Sequence, residues 1–224
     1  ITMARQTAIS INTIPIGPLG IIGMPGCEEL TDKIDKYLVK WRKTQASEHA
    51  ESIAFFGYQR DTYKIDVSIP RFGSGEGKGV INESVRGYDI YIVCDVFNYS
   101  CSYDMYGRKV YMSPDDHFAD LKRVISALCS KPKRVSVIMP MLYEGRQHKR
   151  SSRESLDCAM ALKELVHLGV ENIITFDAHD QRVQNAIPDK SFENVMPTYQ
   201  MIKALVNNVE DLNVDKDHLM IISP

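Results

Sequence analysis

The fold is decided by two apolar runs and the segment between them: Val135-Ser-Val-Ile-Met-Pro140, a stretch of helical periodicity from Arg153 to Leu168, and Asn172-Ile-Ile-Thr-Phe-Asp177. Both runs are short and rich in β-branched residues, which is typical of buried strands. Gly169 directly follows the helical segment and acts as a stop signal. The stretch therefore predicts a strand, a helix and a second strand, which is the repeating unit of a parallel sheet.

The same alternation extends towards both ends of the chain. Further apolar runs cover Leu19 to Met24, Ile90 to Val96 and Leu219 to Ser223. Further segments of helical spacing cover Glu28 to Lys43, Phe118 to Ser130 and Thr198 to Val206. Strands and helices that alternate in this way indicate an α/β protein with a parallel sheet flanked by helices.

Two segments interrupt the alternation. Thr44 to Lys64 is polar and has no clear period, whereas Asn98 to Asp115 carries several tyrosines and predicts a hairpin insertion. We expect the tyrosines to form one face of that hairpin rather than a base-stacking platform, because few basic residues lie between them.

The domain organisation follows from a charged, proline-containing connection at Glu193 to Pro197, which precedes a new helix-then-strand unit. We expect an N-terminal tail over residues 1–18, an N-terminal α/β domain over 19–194, and the start of a truncated second α/β domain over 195–224. The chain begins at Ile1 and stops directly after an apolar run, so we expect both ends to be cut.

Composition excludes several classes of protein. The 224 residues carry 27 basic and 29 acidic side chains, a net charge of -2, so no overall field predicts nucleic acid or an anionic membrane as partner. The five cysteines are an odd number without a C-x-x-C pair, which argues against a disulfide framework or structural zinc and favours a cytoplasmic location. Prolines and glycines in the uncharged stretch from Gln6 to Cys27 would break a membrane-spanning helix there.

A cluster of cations follows the first of the two deciding runs. The stretch Glu144-Gly-Arg-Gln-His-Lys-Arg-Ser-Ser-Arg153 holds Arg146, Lys149, Arg150 and Arg153. This concentration favours an anion, and the start of the predicted helix would add free backbone N–H groups and a favourable dipole. A solvated basic turn is the alternative for this segment taken alone.

A second candidate constellation, Asp177-Ala-His-Asp-Gln-Arg182, leaves the end of the next run. The Asp177 carboxylate suits Mg²⁺, and the His179 imidazole can bind a metal or hydrogen-bond phosphate. Alternatively, Asp177 caps the loop and His179 is structural. A right-handed crossover would place both loops at the same sheet edge, where ligands of open α/β sheets bind, so we expect them to face one crevice suited to a metal–nucleoside polyphosphate. No P-loop motif occurs in the chain.

A third feature is the glycine-rich stretch Arg71-Phe-Gly-Ser-Gly-Glu-Gly-Lys-Gly79. It lacks the spacing of a dinucleotide-binding fingerprint, so a glycine-rich hairpin turn is its simplest interpretation. Phe72 nevertheless offers a ring for stacking on a base, and Glu76 offers an acceptor for an exocyclic amine.

Taken together, these stretches resemble the ribose-phosphate diphosphokinases, which make phosphoribosyl pyrophosphate. The similar segments are Arg71 to Glu76 with Ile81 to Val93, Asp115-Asp116, Ile138 to Pro140 with Gly145 to His148, and Ile173 to Gln184. They look like the family's adenine-binding segment, its Asn-Asp segment, its A-R-Q-D loop and its D-L-H metal segment. The resemblance runs in order from Leu19 to Pro224 and implies a phosphoribosyltransferase-like, Rossmann-like fold.

The resemblance also implies a reaction and roles for individual residues. The reaction would transfer the diphosphoryl group of Mg-ATP to the C1 hydroxyl of ribose 5-phosphate, with Mg²⁺ as cofactor and ATP as co-substrate. The residues with implied roles are Arg146, Gln147 and His148 for ATP, Asp177 and His179 for the metal, with His179 also the catalytic residue, and Phe72, Ser74 and Glu76 for adenine. In the family the adenine residues come from a neighbouring subunit, which implies a homo-oligomer, a dimer or hexamer.

Two departures and two alternatives accompany this resemblance. Gly73-Ser74 replaces the family's commoner Ser-Asp or Ser-Asn pair, and the family's ribose-5-phosphate loop and catalytic Lys/Arg loop would follow Pro224. The chain alone is therefore expected to be incomplete. A non-catalytic regulatory homologue and an unrelated nucleotide-binding α/β module remain the alternative interpretations.

Overall fold

The computed structural model describes residues 15–48 and 59–209, together with residues 220 and 222. Its elements, in chain order, are β1 (Leu19–Gly23), α1 (Glu28–Glu48), β2 (Val67–Ser68), β3 (Val80–Ile81), β4 (Asp89–Val93), β5 (Ser102–Met105), β6 (Arg108–Tyr111), α2 (Pro114–Ala127), β7 (Arg134–Met139), α3 (Asp157–His167), β8 (Asn172–Phe176), a 3₁₀ helix (Gln181–Ala186), β9 (Ser191–Val195) and α4 (Thr198–Asn208).

The centre of the fold is a five-stranded sheet in the order β1-β4-β7-β8-β9, with every pair parallel. This confirms the predicted parallel sheet. Beyond β1, residue Lys64 forms an isolated parallel bridge with Ile21. The Ile21 N–H donates to the Tyr63 carbonyl over 2.7 Å, and the Ile65 N–H donates to the Ile21 carbonyl over 2.8 Å.

Helices cover the sheet because alternate strand residues point to opposite faces. On one face, strand residues such as Ile92, Val137 and Ile173 share a buried cluster with side chains of α2 and α3. In α3, the buried residues Cys158, Ala161, Leu162 and Leu165 recur at helical spacing. On the other face, Ile21 and Val93 pack with Tyr63 and with partly buried residues of α1. Both faces of the sheet are therefore covered, and the loops that follow its strands lie at its carboxyl edge.

The predicted hairpin insertion is present as β5 and β6, which pair antiparallel with Met105 opposite Arg108. The other insertion, 44–64, lies partly outside the described residues, as do the N-terminal tail and the predicted strand at 219–223. The described helices include none that is both long and apolar enough to cross a membrane.

Three predicted boundaries are wrong. Helix α2 begins at Pro114 rather than Phe118, because Ser113 and Asp116 form a capping box at its start. Helix α3 begins at Asp157 rather than Arg153, and the residue before it, Leu156, makes no side-chain cap. The segment 193–197, predicted as a connection, begins inside β9, whose residues alternate between partly buried and exposed.

Candidate functional site

The candidate site lies at the carboxyl ends of β7 and β8. Met139 near the end of β7 is in register with Thr175 near the end of β8, so the loops that follow leave the sheet side by side. We call residues 143–153 the basic loop and residues 177–182 the acidic loop. Parallel strands bring loops to one edge of a sheet, and that edge is where open α/β sheets bind ligands.

The two loops meet at His148. Its ring centroid lies 5.1 Å from that of His179, with the ring planes tilted by 57°. Its Nε2 lies 3.4 Å from Asp180 Oδ2, and the two side chains are only 13% and 14% exposed. Its Nδ1 lies 3.1 Å from the carbonyl oxygen of Arg146. The structure therefore brings a residue of the basic loop against the acidic loop, as the topology predicts.

Asp180 organises the acidic loop, although the sequence analysis assigned it no role. Its carboxylate accepts a hydrogen bond from the Arg182 backbone N–H over 2.9 Å and caps the 3₁₀ helix that follows. The Arg182 guanidinium also donates to it over 2.6 Å. Hydrogen bonds from Arg182 hold the pKa of Asp180 well below its usual range, so this carboxylate is charged at neutral pH. The sequence feature that could have predicted this role is an acidic residue two positions before Arg182, a spacing typical of a local capping turn.

Asp177 and His179 lie exposed at the start of the acidic loop. Asp177 has a φ of 46°, in the left-handed region that non-glycine residues rarely adopt. Its backbone N–H donates to the carbonyl of Val195 over 3.1 Å. The Ala178 N–H donates to Oδ1 of Asn194 over 2.9 Å. The end of β9 thus holds this loop in place, and Asn194 was missed because β9 itself was not predicted.

The basic loop is anchored at its first residue. The Tyr143 hydroxyl donates to Asp115 at the start of α2 over 2.6 Å, and its ring stacks on Phe118 with 4.2 Å between centroids. Burial and the nearby carboxylates of Asp157 and Asp115 raise the pKa of Glu144. Asp115, which belongs to one of the segments that resemble the family, therefore supports the basic loop from the first turn of α2.

The cationic side chains of the basic loop are exposed. Arg146, Lys149, Arg150 and Arg153 all face solvent, and within the described residues Arg146 has no side-chain hydrogen bond or ion pair. Gln147 is partly buried, and its amide donates to the Ser155 carbonyl over 2.8 Å. The predicted contribution of the α3 N-terminus is not supported, because α3 begins later and Asp157 already occupies its first turn.

The donor set fits a divalent cation that arrives with a polyphosphate better than a cation held by protein alone. No group of three or more His, Cys, Asp or Glu side chains in the described ranges is arranged to hold a metal. Mg²⁺ commonly takes one or two carboxylates together with phosphate oxygens and water, and Asp177 offers such a carboxylate. The imidazole of His179 suits a hydrogen bond to phosphate, because hard cations prefer oxygen ligands.

The glycine-rich stretch forms the predicted hairpin turn. Arg71 and Gly77 form an antiparallel bridge at its base. Inside it, the Phe72 N–H donates to the Glu76 carbonyl over 2.9 Å, and the Gly75 N–H donates to the Phe72 carbonyl over 2.8 Å. Gly75 has a φ of 92°, which glycine adopts without strain. We call residues 72–76 the exposed turn, because the Phe72 ring at its start is 58% exposed.

A buried ion network supports the exposed turn from below. Asp120 of α2 has a side chain only 2% exposed and accepts hydrogen bonds from Arg71 and Arg123. The Arg71 guanidinium also lies 4.3 Å from the ring centroid of Tyr103 in β5. Burial raises the pKa of Asp120, and the two guanidinium groups offset part of that rise. The turn is thereby fixed to both α2 and the hairpin insertion.

The structure does not bring all predicted site residues together. Among the described residues, no hydrogen bond, ion pair or ring contact joins Phe72, Ser74 or Glu76 to the basic loop or the acidic loop. The Ser74 hydroxyl instead donates to Glu76 Oε2 over 2.7 Å. Two separate surfaces therefore carry the candidate residues: the junction of the basic and acidic loops at the sheet edge, which we call the crevice, and the exposed turn.

Comparison with known proteins identifies the family. A family model described as the N-terminal domain of ribose phosphate pyrophosphokinase matches residues 19–169. Ribose-phosphate pyrophosphokinase 1 of Schizosaccharomyces pombe is 26% identical over 165 residues, which cover 73% of this chain and 37% of that protein. Ribose-phosphate pyrophosphokinase of Vibrio cholerae is 25% identical over 150 residues, which cover 65% of this chain and 43% of that protein.

A solved structure shows the same fold. Phosphoribosylpyrophosphate synthetase from Mycobacterium smegmatis superposes with a TM-score of 0.62 at 18% identity, over 85% of this chain and 52% of that chain. At this identity the likeness concerns the fold, which is the predicted phosphoribosyltransferase-like α/β fold. The chain spans less than half the length of these two curated relatives, 37% and 43%. The family match itself, residues 19–169, establishes that the chain belongs to the ribose-phosphate pyrophosphokinase family.

Proposed function

We propose that this chain is the ATP-binding portion of a ribose-phosphate diphosphokinase. The observation that carries the proposal is the junction of the basic and acidic loops at one sheet edge, where His148 lies 5.1 Å from His179. In the proposed reaction the C1 oxygen of ribose 5-phosphate bonds to the β-phosphorus of ATP. The bond from that phosphorus to the α,β-bridging oxygen breaks, AMP leaves with that oxygen, and the C1 hydroxyl releases its proton.

The residues of the crevice have distinct proposed roles. The exposed guanidinium of Arg146 pairs with polyphosphate oxygens, and Gln147 and His148 complete that contact. His179 donates a hydrogen bond to the transferring group and Asp177 holds the cation. Bound Mg²⁺ would supply further neutralisation of the phosphate charge. Catalysis of this kind consists of positioning and of charge stabilisation, which groups fixed at a sheet edge provide.

We propose that the exposed turn serves the crevice of a second copy of the chain. Its adenine-binding candidates, Phe72, Ser74 and Glu76, are exposed and make no contact with the crevice of their own chain within the described residues. A homo-oligomer would bring the two surfaces together. The ribose 5-phosphate subsite would come from parts of the protein outside the described residues, in keeping with the greater length of the curated relatives.

The test is a reaction of the full-length protein with ATP and ribose 5-phosphate. We expect Mg²⁺-dependent formation of AMP and phosphoribosyl pyrophosphate in equal amounts, measured by chromatography. Arg146→Ala should weaken ATP binding by about tenfold, because a charged hydrogen bond to phosphate is lost. The matched control is Arg86→Ala, an exposed arginine that precedes β4 at the opposite edge of the sheet, which should bind ATP as the wild type does.

Two outcomes would contradict parts of the proposal. If no AMP forms although ATP binds with Arg146 dependence, the non-catalytic regulatory homologue is the better interpretation. If Arg146→Ala and Arg86→Ala bind ATP equally well, the basic loop is not the polyphosphate site.

A further inference from the structure

The tip of the hairpin insertion carries an unusual residue. Tyr106 has a φ of 49° and is followed by Gly107 with a φ of 74°, so the two residues form a tight turn between β5 and β6. Such turns favour asparagine, aspartate or glycine at the first position, because a bulky side chain is strained at positive φ. A tyrosine here costs stability, and strain of this kind is characteristic of functional positions.

The hairpin tip is joined to the exposed turn. The Tyr106 backbone N–H donates to the Gly73 carbonyl over 2.9 Å, so the hairpin tip contacts the residue that follows Phe72. Gly75 packs directly against the same hairpin, since a Cβ there would lie 3.0 Å from the sulfur of Met105. The hairpin insertion therefore contacts the exposed turn at two points, the backbone of Gly73 and the close approach at Gly75.

Both aromatic rings at this junction face solvent. Tyr106 is 81% exposed and Phe72 is 58% exposed. No ring–ring contact joins either of them to another described residue. In contrast, Tyr103 of the same hairpin packs against the Arg71 guanidinium. Tyr106 thus supports neither the hairpin nor the turn through its ring, although its backbone joins the two.

We propose that Tyr106 is a second base-binding residue, which presents its ring together with Phe72 to the adenine of a bound nucleotide. This inference rests on the proposed function, in which the exposed turn binds adenine. Exposed aromatic rings are suitable platforms for a planar base, and Glu76, whose carbonyl accepts from the Phe72 N–H, offers a carboxylate as acceptor for its exocyclic amine. The hairpin insertion then has a role of its own, since it adds a ring to a turn that otherwise offers one.

The test separates the ring of Tyr106 from its backbone. Tyr106→Asn removes the ring but favours positive φ and keeps the N–H that binds Gly73, and Tyr106→Phe keeps an aromatic ring. Tyr99→Asn is the matched control, because Tyr99 is 62% exposed outside both tips. Calorimetry on the full-length protein would measure the dissociation constants of ATP and of inorganic tripolyphosphate, which has no base. A cooperative thermal unfolding transition at or above the wild-type temperature would establish that each variant is folded.

We expect Tyr106→Asn to weaken ATP binding by about tenfold and to leave tripolyphosphate binding unchanged, because only base stacking is lost. Tyr106→Phe and Tyr99→Asn should bind ATP as the wild type does. Tyr106→Gly, which also suits positive φ, should repeat the result of Tyr106→Asn and replaces it if that variant is unstable.

The possible failures are distinguishable. If Phe72→Ala weakens ATP binding and Tyr106→Asn does not, the inference about Tyr106 is wrong and the adenine-binding turn stands. If the wild-type protein binds tripolyphosphate but gains nothing from the base of ATP, both the turn assignment and this inference are wrong. If it binds neither ligand, the proposed function itself is overturned.

Discussion

The crevice and the exposed turn are built in different ways. The crevice is placed by parallel strands, and its two loops contact each other at His148, whose Nε2 lies 3.4 Å from Asp180 Oδ2. The exposed turn lies away from the main sheet and is held by a buried network, in which Asp120 binds Arg71 and Arg123. Strand topology brings the two crevice loops to one sheet edge, where contacts such as the Ala178–Asn194 hydrogen bond hold them, whereas the exposed turn is placed mainly by its contacts with side chains of α2.

The largest effect is expected from a substitution that removes the support of the exposed turn. Asp120→Ala should lower the free energy of unfolding by about 3 kcal/mol, because it leaves the largely buried guanidinium of Arg71 without its carboxylate partner. The Gly75 amide, which binds the Phe72 carbonyl, should exchange faster with solvent, whereas the Ala178 amide of the acidic loop should be little changed. Urea unfolding and hydrogen exchange measure the two effects.

The control for this change is Asp104→Ala, since Asp104 is an exposed acidic residue of the neighbouring strand β5. It should leave both stability and exchange near the wild-type values. Equal protection of the Gly75 amide in Asp120→Ala and wild type would show that the network does not hold the turn.

A smaller effect is expected from a substitution that weakens the hydrogen bonding of the crevice loops and leaves the exposed turn unchanged. Asn194→Ala removes the acceptor of the Ala178 N–H, and a lost hydrogen bond of this kind costs about 1 kcal/mol. The Ala178 amide should exchange faster, and tripolyphosphate should bind a few times more weakly by calorimetry. Asn207→Ala, an exposed position on α4, is the matched control and should change neither quantity. Weaker protection at Gly75 instead would mean that the two regions are coupled.

The smallest expected effect concerns charge in the basic loop. Burial raises the pKa of Glu144, so its ionisation opposes folding at every pH above that raised value. Glu144→Gln should therefore stabilise the protein at about pH 7, by less than about 1 kcal/mol because the group is partly exposed. The gain should vanish below about pH 3, well under the ordinary pKa of a glutamate, where Glu144 is protonated in both the folded and unfolded states. Urea unfolding at the two pH values measures the difference.

Glu154, which directly follows the basic loop, is the control of opposite sign. Hydrogen bonds from Ser152 and Ser151 lower the pKa of Glu154, so its charge favours the folded state above the unfolded pKa and that contribution is lost as the pH falls through the folded pKa. Glu154→Gln should thus destabilise the protein slightly at neutral pH. A stabilising Glu154→Gln, or a destabilising Glu144→Gln, would contradict this assignment of charges.

The sequence predicted most of the fold because strands and helices leave local patterns. Continuous apolar runs predicted β1, β4, β7 and β8, and each of these strands is buried over most of its length. Strand β9 left no such pattern, because its residues are partly or fully exposed. The role of Asn194 was lost with it, since that side chain reaches Ala178 only when β9 pairs with β8.

The sequence by itself determined the order of strands and helices, the hairpin insertion, the glycine-rich turn and the clustering of cations after β7. Residues close along the chain encode these features through periodicity and turn chemistry. Only the tertiary structure decided that His148 meets His179 and Asp180, and that Tyr106 binds the Gly73 backbone. Those contacts join residues far apart in the chain, so they arise when crossovers and hairpins pack rather than from any local pattern.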